Sequence, residues 1–296
     1  EHHVHLLALD GEDYPDALRS LPNAPPLLYA KGRTPLADGP VLAVVGTRRP
    51  TRSGEKATQH FIERLAGLVP NLIIVSGLAR GIDTIAHEAA LANGLQTIAV
   101  LANGLASVYP PENADLAERI AGQGTLLSEF KMTQNPLARH FPIRNRLLAG
   151  LSRAILVVEA PERSGALITA GFGLNYSRAV FALPGNVDQD SFRGTNRWIQ
   201  RNLASMALDP EDVVPALTGR GRPEPAQLNM LDPAPVEAAP SGQRGAIQQA
   251  LRGGPLHPDD LANVVGLPVE KLLGLLLEME LAGELVQTRD LHYELA

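Results

Sequence analysis

The sequence contains no cysteine, so disulfides, thiolate metal sites and cysteine nucleophiles are all excluded. It also lacks any apolar run of the roughly 18 residues that a membrane-spanning helix needs, and its start shows no signal-peptide pattern. Aromatic residues are scarce at 4% of the chain, so few side chains can stack on a ligand. We therefore expect a cytoplasmic protein that does not bind a membrane.

Basic residues are fewer than acidic ones, 26 against 32, and the net charge of -6 by itself argues against nucleic acid as a partner. The distribution of charge changes this interpretation. Residues 41–210 hold 17 basic and 13 acidic residues, whereas residues 241–296 hold only 4 basic and 8 acidic ones. A basic surface is therefore expected on the central part of the chain and not on its C-terminal part.

From position 41 onward, short apolar runs alternate with segments of helical periodicity. The runs are VLAVVG at 41, LIIVSG at 72, QTIAVL at 96, LLSEF at 126, AILVVEA at 154, AVFALPG at 179 and ASMAL at 204. Unbroken apolar strands are typical of a parallel sheet covered on both faces, and apolar residues at three- and four-residue spacing predict helices between them. Residues 41–214 are therefore predicted to form an α/β domain with an extended Rossmann-like, doubly wound, mainly parallel sheet.

The flanking segments have different compositions. Residues 1–40 are predicted to be a Pro-rich lead-in that packs on the sheet domain, and their His-dense start, a metal site or a tag remnant, is excluded from fold reasoning. Residues 215–243 are rich in Pro, Gly and Ala, which is typical of a flexible linker. Residues 244–296 predict three short helices and a hairpin, the pattern of a small winged-helix domain.

Loops that follow strands of a parallel sheet are expected to bind ligands, because helix N-termini there attract anions. The first such loop, GTRRPTRSGE at 46, combines two glycines with three arginines and predicts a site for a polyanion; solvated loop charges are the alternative. The second loop, SGLARGID at 76, has the same design. Its Asp83 is expected to cap the following helix, and a metal pair with His87 is the weaker alternative.

A third region, residues 140–170, adds Arg144, Asn145 and Arg146 before one strand and the loop Arg163-Ser164-Gly165 after it. Most aromatic residues of the sheet domain are expected in its core. Phe141 is the exception, because it adjoins the arginines and is expected to offer an exposed face on which an unpaired base could stack.

These stretches together carry a family resemblance. GTRRPTRSGE, SGLARGID with TIAHEAAL, and FPIRNRLLAGLS with ERSGALITA occur in order over some 170 residues, together with YPPEN at 109, ALPGN at 182 and GTN at 194. In this order and spacing they resemble the DprA/Smf family of DNA-processing proteins. The family often carries a helical domain before the lead-in, and this chain begins too late to include one. Some members also have a lysine at the position of Pro111.

The resemblance implies a protein that binds and protects incoming single-stranded DNA in natural transformation and helps to load the RecA recombinase. It also implies a homodimer formed through the Rossmann-like domain, with no enzymatic activity, cofactor or metal. The family's basic pocket beside the GTR-type loop corresponds to Gly46, Thr47 and Arg48. The complete set of predicted single-stranded-DNA-binding residues is Gly46, Thr47, Arg48, Arg49, Arg52, Ser76, Gly77, Arg80, Gly81, Phe141, Arg144, Asn145, Arg146, Ser164 and Gly165.

Other functions fit less well. The main alternative is a nucleotide-processing Rossmann-like hydrolase of the phosphoribohydrolase type, but its PGGxGT loop is absent and ERSGALITA offers no carboxylate on its first helical turn. A dehydrogenase would need GxGxxG after the first strand and an acidic residue after the second, and neither is present. A transcription regulator acting through the winged helix is disfavoured by the acidic balance of that domain.

Overall fold

The structure, a computed structural model, describes residues 4–34, 36, 38–219, 241–282, 284–288 and 292–295. The chain divides into two compact units, Glu1–Glu224 and Pro225–Ala296. The first three residues of the His-dense start and most of the predicted linker lie outside the described residues. No helix in the described part of the chain is long and apolar enough to cross a membrane.

A nine-stranded sheet forms the centre of the first unit. Its strands are β1 (Val4–Ala8), β2 (Leu27–Gly32), β3 (Val41–Val45), β4 (Ile73–Ser76), β5 (Gln96–Val100), β6 (Thr125–Ser128), β7 (Ala154–Val157), β8 (Ala179–Ala182) and β9 (Ser205–Met206). They lie in the order β1-β2-β6-β5-β4-β3-β7-β8-β9. All neighbours from β6 to β9 in this order are parallel, while β1 and β2 pair antiparallel at one edge. This confirms the predicted mainly parallel, doubly wound sheet.

Helices cover both faces of the sheet because alternate strand residues point to opposite sides. The helices are α1 (Asp16–Arg19), α2 (Arg52–Leu68), α3 (Ile82–Ala92), α4 (Ala114–Gln123), α5 (His140–Leu151), α6 (Gly165–Asn175), α7 (Arg193–Gln200) and α8 (Val214–Thr218). In β3, Ala43 and Val45 pack in the core shared with α5 and α6, whereas Leu42 and Val44 pack in the core shared with α2 and α3.

The lead-in contributes strands to the sheet itself and does not merely pack against it. Strand β2 pairs antiparallel with β6, with Tyr29 opposite Ser128, and β1 pairs with β2 at the outer edge. Leu28 and Ala30 are fully buried. The prolines that mark the segment as irregular, Pro25 and Pro26, lie just before β2, where they do not interrupt the hydrogen bonds of the strand.

The order of the strands reverses between β3 and β7. From β3 the chain winds one way through β4, β5 and β6, and then it returns to the other side of β3 for β7, β8 and β9. In doubly wound folds, ligands bind in the crevice at the carboxyl ends of the strands at such a point. The loops that follow β3 and β7 are therefore brought together at the expected place for a binding site.

The second unit confirms the predicted winged helix. It comprises α9 (Ser241–Leu251), α10 (Pro258–Val265), α11 (Val269–Leu281) and a hairpin of β10 (Leu285–Gln287) and β11 (Tyr293–Leu295). Ile247, Leu261, Leu272 and Met279 lie in its buried core. Helices extend into the predicted linker at both ends, because residues 215–218 belong to α8, whose Leu217 is fully buried, and residues 241–243 belong to α9.

Candidate nucleic-acid interface

A pocket of about 300 Å³ lies where the loops after β3 and β7 meet helix α5. Four stretches that are far apart in the sequence form its walls, and they lie within residues 45–48, 79–83, 141–148 and 161–169. Eight of the predicted binding residues line it: Gly46, Thr47, Arg48, Phe141, Arg144, Asn145, Ser164 and Gly165. We call this cavity the switch-point pocket.

The loop after β3 is held by backbone hydrogen bonds to two neighbouring loops. The Thr47 N–H donates to the carbonyl of Glu159 over 2.7 Å, and the Ile82 N–H donates to the carbonyl of Thr47 over 3.2 Å. Gly46 is required here, because a Cβ atom would lie 2.5 Å from Cγ1 of Ile82. These contacts fix the backbone and leave the Arg48 side chain exposed at the pocket.

Helix α6 begins at the opposite wall of the pocket. The Ser164 hydroxyl caps it by accepting a hydrogen bond from the Ala166 N–H over 3.2 Å, and the Asn145 side-chain amide donates to the Gly165 carbonyl over 3.1 Å. The first turn of a helix carries N–H groups without intrahelical partners and a partial positive charge. With the exposed Arg163 beside it, this wall suits a phosphate group.

Arg144 forms the floor of the pocket and is buried, with 3% of its surface exposed. Its guanidinium donates to the carbonyls of Gly77 and Val100 and to the side-chain oxygen of Asn145. Burial lowers the pKa of Arg144 to about 10, although the nearby Asp83 acts in the opposite direction. The guanidinium therefore stays protonated at neutral pH, and it lies close to the Asp83 carboxyl group, which lines the same pocket.

The expected N-cap role of Asp83 is wrong. Gly81 occupies the N-cap position of α3, and Asp83 lies inside the first turn. Its carboxylate accepts hydrogen bonds from the N–H groups of Gly77, at 3.1 Å, and Ala79, at 3.4 Å. Burial raises the pKa of Asp83, while Arg144 lowers it. Asp83 thus holds the loop after β4 in place, a longer-range task than capping its own helix.

The metal alternative for Asp83 and His87 also lacks support. His87 is fully buried, and its Nδ1 lies 2.7 Å from the Thr97 hydroxyl. Among the described residues, no group of three or more His, Cys, Asp or Glu side chains is placed to hold a metal ion.

A small groove adjoins the pocket, and Gly77, Arg80 and Tyr109 line it together with Arg48 and Phe141. The Arg48 guanidinium lies 5.3 Å from the centre of the Phe141 ring, a cation–π contact, and the Tyr109 ring meets Phe141 edge-on at 5.9 Å. Arg80 pairs with Glu112, and this hydrogen bond is the main cause that raises the pKa of Arg80. The groove therefore places aromatic surface next to the cationic pocket.

Five predicted residues line neither the pocket nor the groove. Arg146 is 8% exposed and pairs with Glu129 inside the protein, and the Ser76 hydroxyl is buried and donates to the Val44 carbonyl over 2.7 Å. Gly81 has a φ of +76° and packs against the backbone of the first loop. The other two are exposed, Arg49 on the loop after β3 and Arg52 at the first residue of α2.

Several site residues are absent from the predicted set. Arg163 lines the pocket, and Tyr109 lines the groove. Asn113 lines neither concavity but supports the loop after β4. Its side-chain amide donates hydrogen bonds to the Leu78 carbonyl and the Thr84 hydroxyl, each over 2.9 Å. Arg163 was detectable from its place in the ERSG loop, and both Tyr109 and Asn113 belong to the YPPEN motif.

Comparison with known proteins identifies the family of this chain. Residues 5–218 match the family model of DNA recombination-mediator protein A, and residues 232–290 match that of the DprA winged helix domain. Protein Smf of Synechocystis sp. is 35% identical over 319 residues, which cover 98% of this chain and 79% of that protein.

Two solved structures are also similar. DprA from Streptococcus pneumoniae has a TM-score of 0.68 and 40% identity, with 72% of this chain and 74% of that chain covered. DprA from Helicobacter pylori, whose structure was described for its single-stranded-DNA binding mode, has a TM-score of 0.66 and 31% identity, with 74% and 97% covered. The chain therefore belongs to the DprA/Smf family of DNA-processing proteins.

Proposed function

We propose that this protein binds single-stranded DNA in the switch-point pocket. The observation that carries the proposal is the grouping of Arg48, Arg163 and the start of α6 around one concavity, with the ring of Phe141 under the Arg48 guanidinium. Arginines and free helix N–H groups bind phosphates, and aromatic rings provide stacking surfaces worth ~1–3 kcal/mol per base. The DprA of H. pylori, which is 31% identical, is described as binding single-stranded DNA.

The shape of the site favours a single strand over a duplex. The pocket volume of about 300 Å³ is at the lower end of the range of ~300–1,000 Å³ for small-molecule sites. A phosphate with its sugar or base fits into such a space, whereas a rigid duplex cannot enter it. Recognition through backbone phosphates and ring stacking carries little sequence information, so we expect weak sequence preference.

We propose a binding role without catalysis. Asp83 is the one carboxylate among the described lining residues of the pocket, and it accepts hydrogen bonds from two backbone N–H groups of the adjacent loop. A general acid or base must reach the proton that it transfers, and this carboxylate is buried and already engaged. The phosphoribohydrolase alternative therefore has no supporting observation in the pocket.

We propose that two copies associate through the Rossmann-like domain. Helix α6 is apolar around most of its circumference, and Ile168 and Leu174 on it remain 42% and 40% exposed. Phe172 and Tyr176 stack beside them with ring centres 6.0 Å apart. An apolar surface of this kind on a globular protein is typical of an interface.

The cellular role that we propose is protection of incoming single-stranded DNA and loading of RecA during natural transformation, in the cytoplasm. The matching family model, described as a recombination mediator, supports this role. We assign the strand to the unit that contains residues 1–40 and 41–214. The winged-helix unit, with its acidic balance, is proposed to contact protein and not DNA.

Fluorescence anisotropy with a labelled oligo-dT strand and a matched duplex tests the proposal. We expect the wild type to bind the single strand more tightly than the duplex, and we expect Arg48→Ala to lose about tenfold in affinity, the effect of one charge-assisted contact. Arg119→Ala, an exposed arginine on α4 outside both concavities, is the matched control. Failure of the wild type to bind the strand, or equal binding by wild type and Arg48→Ala, would refute the proposal.

A further inference from the structure

A second cavity of about 230 Å³ lies beside the start of α2, between this helix and the loop that follows β8. Its inner walls are apolar and include Ala57, Val158 and Leu183. Two side-chain amides, Asn186 and Gln189, stand on its exposed rim. We call it the amide-rimmed cavity.

Two sequence motifs that have no place in the switch-point pocket shape this cavity. Asn196 of GTN accepts a hydrogen bond from the Gly185 N–H over 3.1 Å and donates to the Gly185 carbonyl over 2.9 Å, so it clamps the loop of ALPGN. The Gly194 N–H donates to the Ala160 carbonyl over 2.8 Å. A Cβ atom at Gly185 would collide with the ring of Phe192. These contacts fix the loop that follows β8 and so fix the shape of the cavity.

The charges around the amide-rimmed cavity differ from those of the switch-point pocket. No cation lines it in the described part of the chain, and the carboxyl group of Glu159 lies directly behind Gly54, where a Cβ atom would collide with it. Glu159 is fully buried and accepts hydrogen bonds from the Thr51 N–H and hydroxyl, each at 3.0 Å. A carboxyl group next to the cavity disfavours a phosphate and leaves a neutral ligand as the better match.

The two concavities are joined by a short cationic path. Arg48 lines the switch-point pocket, and Ser53 lines the amide-rimmed cavity. These residues are five positions apart, and because each residue spans at most ~3.6 Å, they lie no more than about 18 Å apart. Arg49 and Arg52 are exposed on this path, and neither forms an ion pair with a residue that the structure describes. Neighbouring phosphates of one DNA strand are ~3.4 Å apart along the axis of a duplex. At this spacing, about five nucleotides are enough to connect the two concavities.

We propose that the amide-rimmed cavity binds an unpaired nucleobase of the strand whose phosphates occupy the switch-point pocket. This inference rests on the proposed function. The volume of 230 Å³ is below the ~300–1,000 Å³ of drug-sized sites and suits one ring system. The apolar walls contact the faces of the base, and the amides of Asn186 and Gln189, which both donate and accept hydrogen bonds, meet its polar edge. Arg49 and Arg52 neutralise the intervening phosphates.

The test measures affinity against strand length, from oligo-dT trinucleotide to dodecanucleotide. In the wild type we expect a step of about tenfold once the strand reaches the second cavity, the effect of burying one base. Ala57→Leu, which fills the cavity from α2, is expected to lose the step and to bind the trinucleotide like the wild type. Gln59→Leu adds the same side chain at an exposed position of α2 and is expected to keep the step.

A second variant, Asn186→Ala/Gln189→Ala, controls for misfolding because both residues are exposed on the rim. We expect it to reduce the affinity step as well. Photocrosslinking of an iodouracil-substituted strand is expected to label the peptide that contains Phe192, and Ala57→Leu is expected to abolish that label. A wild type without a step, or both cavity variants with a full step, would overturn the inference. Loss of trinucleotide binding in Arg48→Ala but not in the cavity variants separates the two proposals.

Discussion

Salt dependence of affinity gives the most direct check on the phosphate contacts proposed for the switch-point pocket. Four exposed arginines surround the switch-point pocket and its outlet without ion pairs to described residues: Arg48, Arg49, Arg52 and Arg163. Each phosphate neutralised on a single strand contributes about −0.7 to the slope of log affinity against log salt, so four contacts predict a slope of about −2.8. Affinity should then fall about fifty-fold when salt rises from about 50 to about 200 mM.

Arg48→Ala should remove one contact and reduce the slope to about −2.1, which corresponds to a loss of about twenty-fold over the same range. The difference between wild type and variant therefore shrinks by about threefold as salt rises. Anisotropy titrations of a labelled oligo-dT at several salt concentrations measure both slopes, with Arg119→Ala expected to match the wild type. Parallel lines for wild type and Arg48→Ala would show that Arg48 does not contact a phosphate, and a flat wild-type line would refute the phosphate-binding pocket.

Three further predictions concern the framework of the site. Arg146→Ala leaves Glu129, whose side chain is only 12% exposed, without its ion-pair partner and should lower stability by about 3 kcal/mol, or roughly 6–12 °C in thermal unfolding; an unchanged melting temperature would contradict this. His87 has its pKa lowered by burial to about 3, so it stays neutral in the folded protein while the unfolded chain takes up a proton below about pH 6.5. The contribution of His87 to the free energy of unfolding should therefore decline from pH 6.5 towards 3, by about 2 kcal/mol at pH 5. Urea titrations should show that the free energy of unfolding depends less on pH in His87→Gln than in the wild type. Gly81→Ala, at φ +76° and against the first loop, should weaken strand binding about tenfold, whereas Gly94→Ala, at φ +69° in open space, should keep it. Equal binding by these two glycine variants would rule out a role for the contact at Gly81.

The sheet was predictable because its strands are unbroken apolar runs, and runs such as AILVVEA at 154 can be buried only in a sheet covered on both faces. The edge strands β1 and β2 were missed for a physical reason. Strand β2 exists because it pairs with β6, nearly a hundred residues further along the chain, and the local composition carries no trace of that partner. Propensity describes a segment alone, whereas an edge strand is stabilised by its neighbour.

The site was predictable as a set of loops but less so as a set of side chains. The rule that ligands bind beyond the carboxyl ends of parallel strands selected the loops after β3, β4 and β7, and residues from all three loops line the pocket. The task of each polar residue depends on partners that come together only in the fold. Asp83 is an example, since its hydrogen-bond donors belong to the loop after β4 and not to its own helix end.

In helix α5, residue spacing alone could have predicted which side chains face the pocket. Successive residues of an α-helix are about 100° apart, so Arg144 and Arg146 point about 200° apart and cannot both face one pocket. Positions three, four and seven residues beyond Phe141 share its face, and Arg144, Asn145 and Leu148 all line the pocket with it. Arg146 faces the interior, where Glu129 meets it. The spacing thus required a choice between the two arginines, and the expectation that Phe141 is exposed already indicated that Arg144 lies on the pocket side of α5.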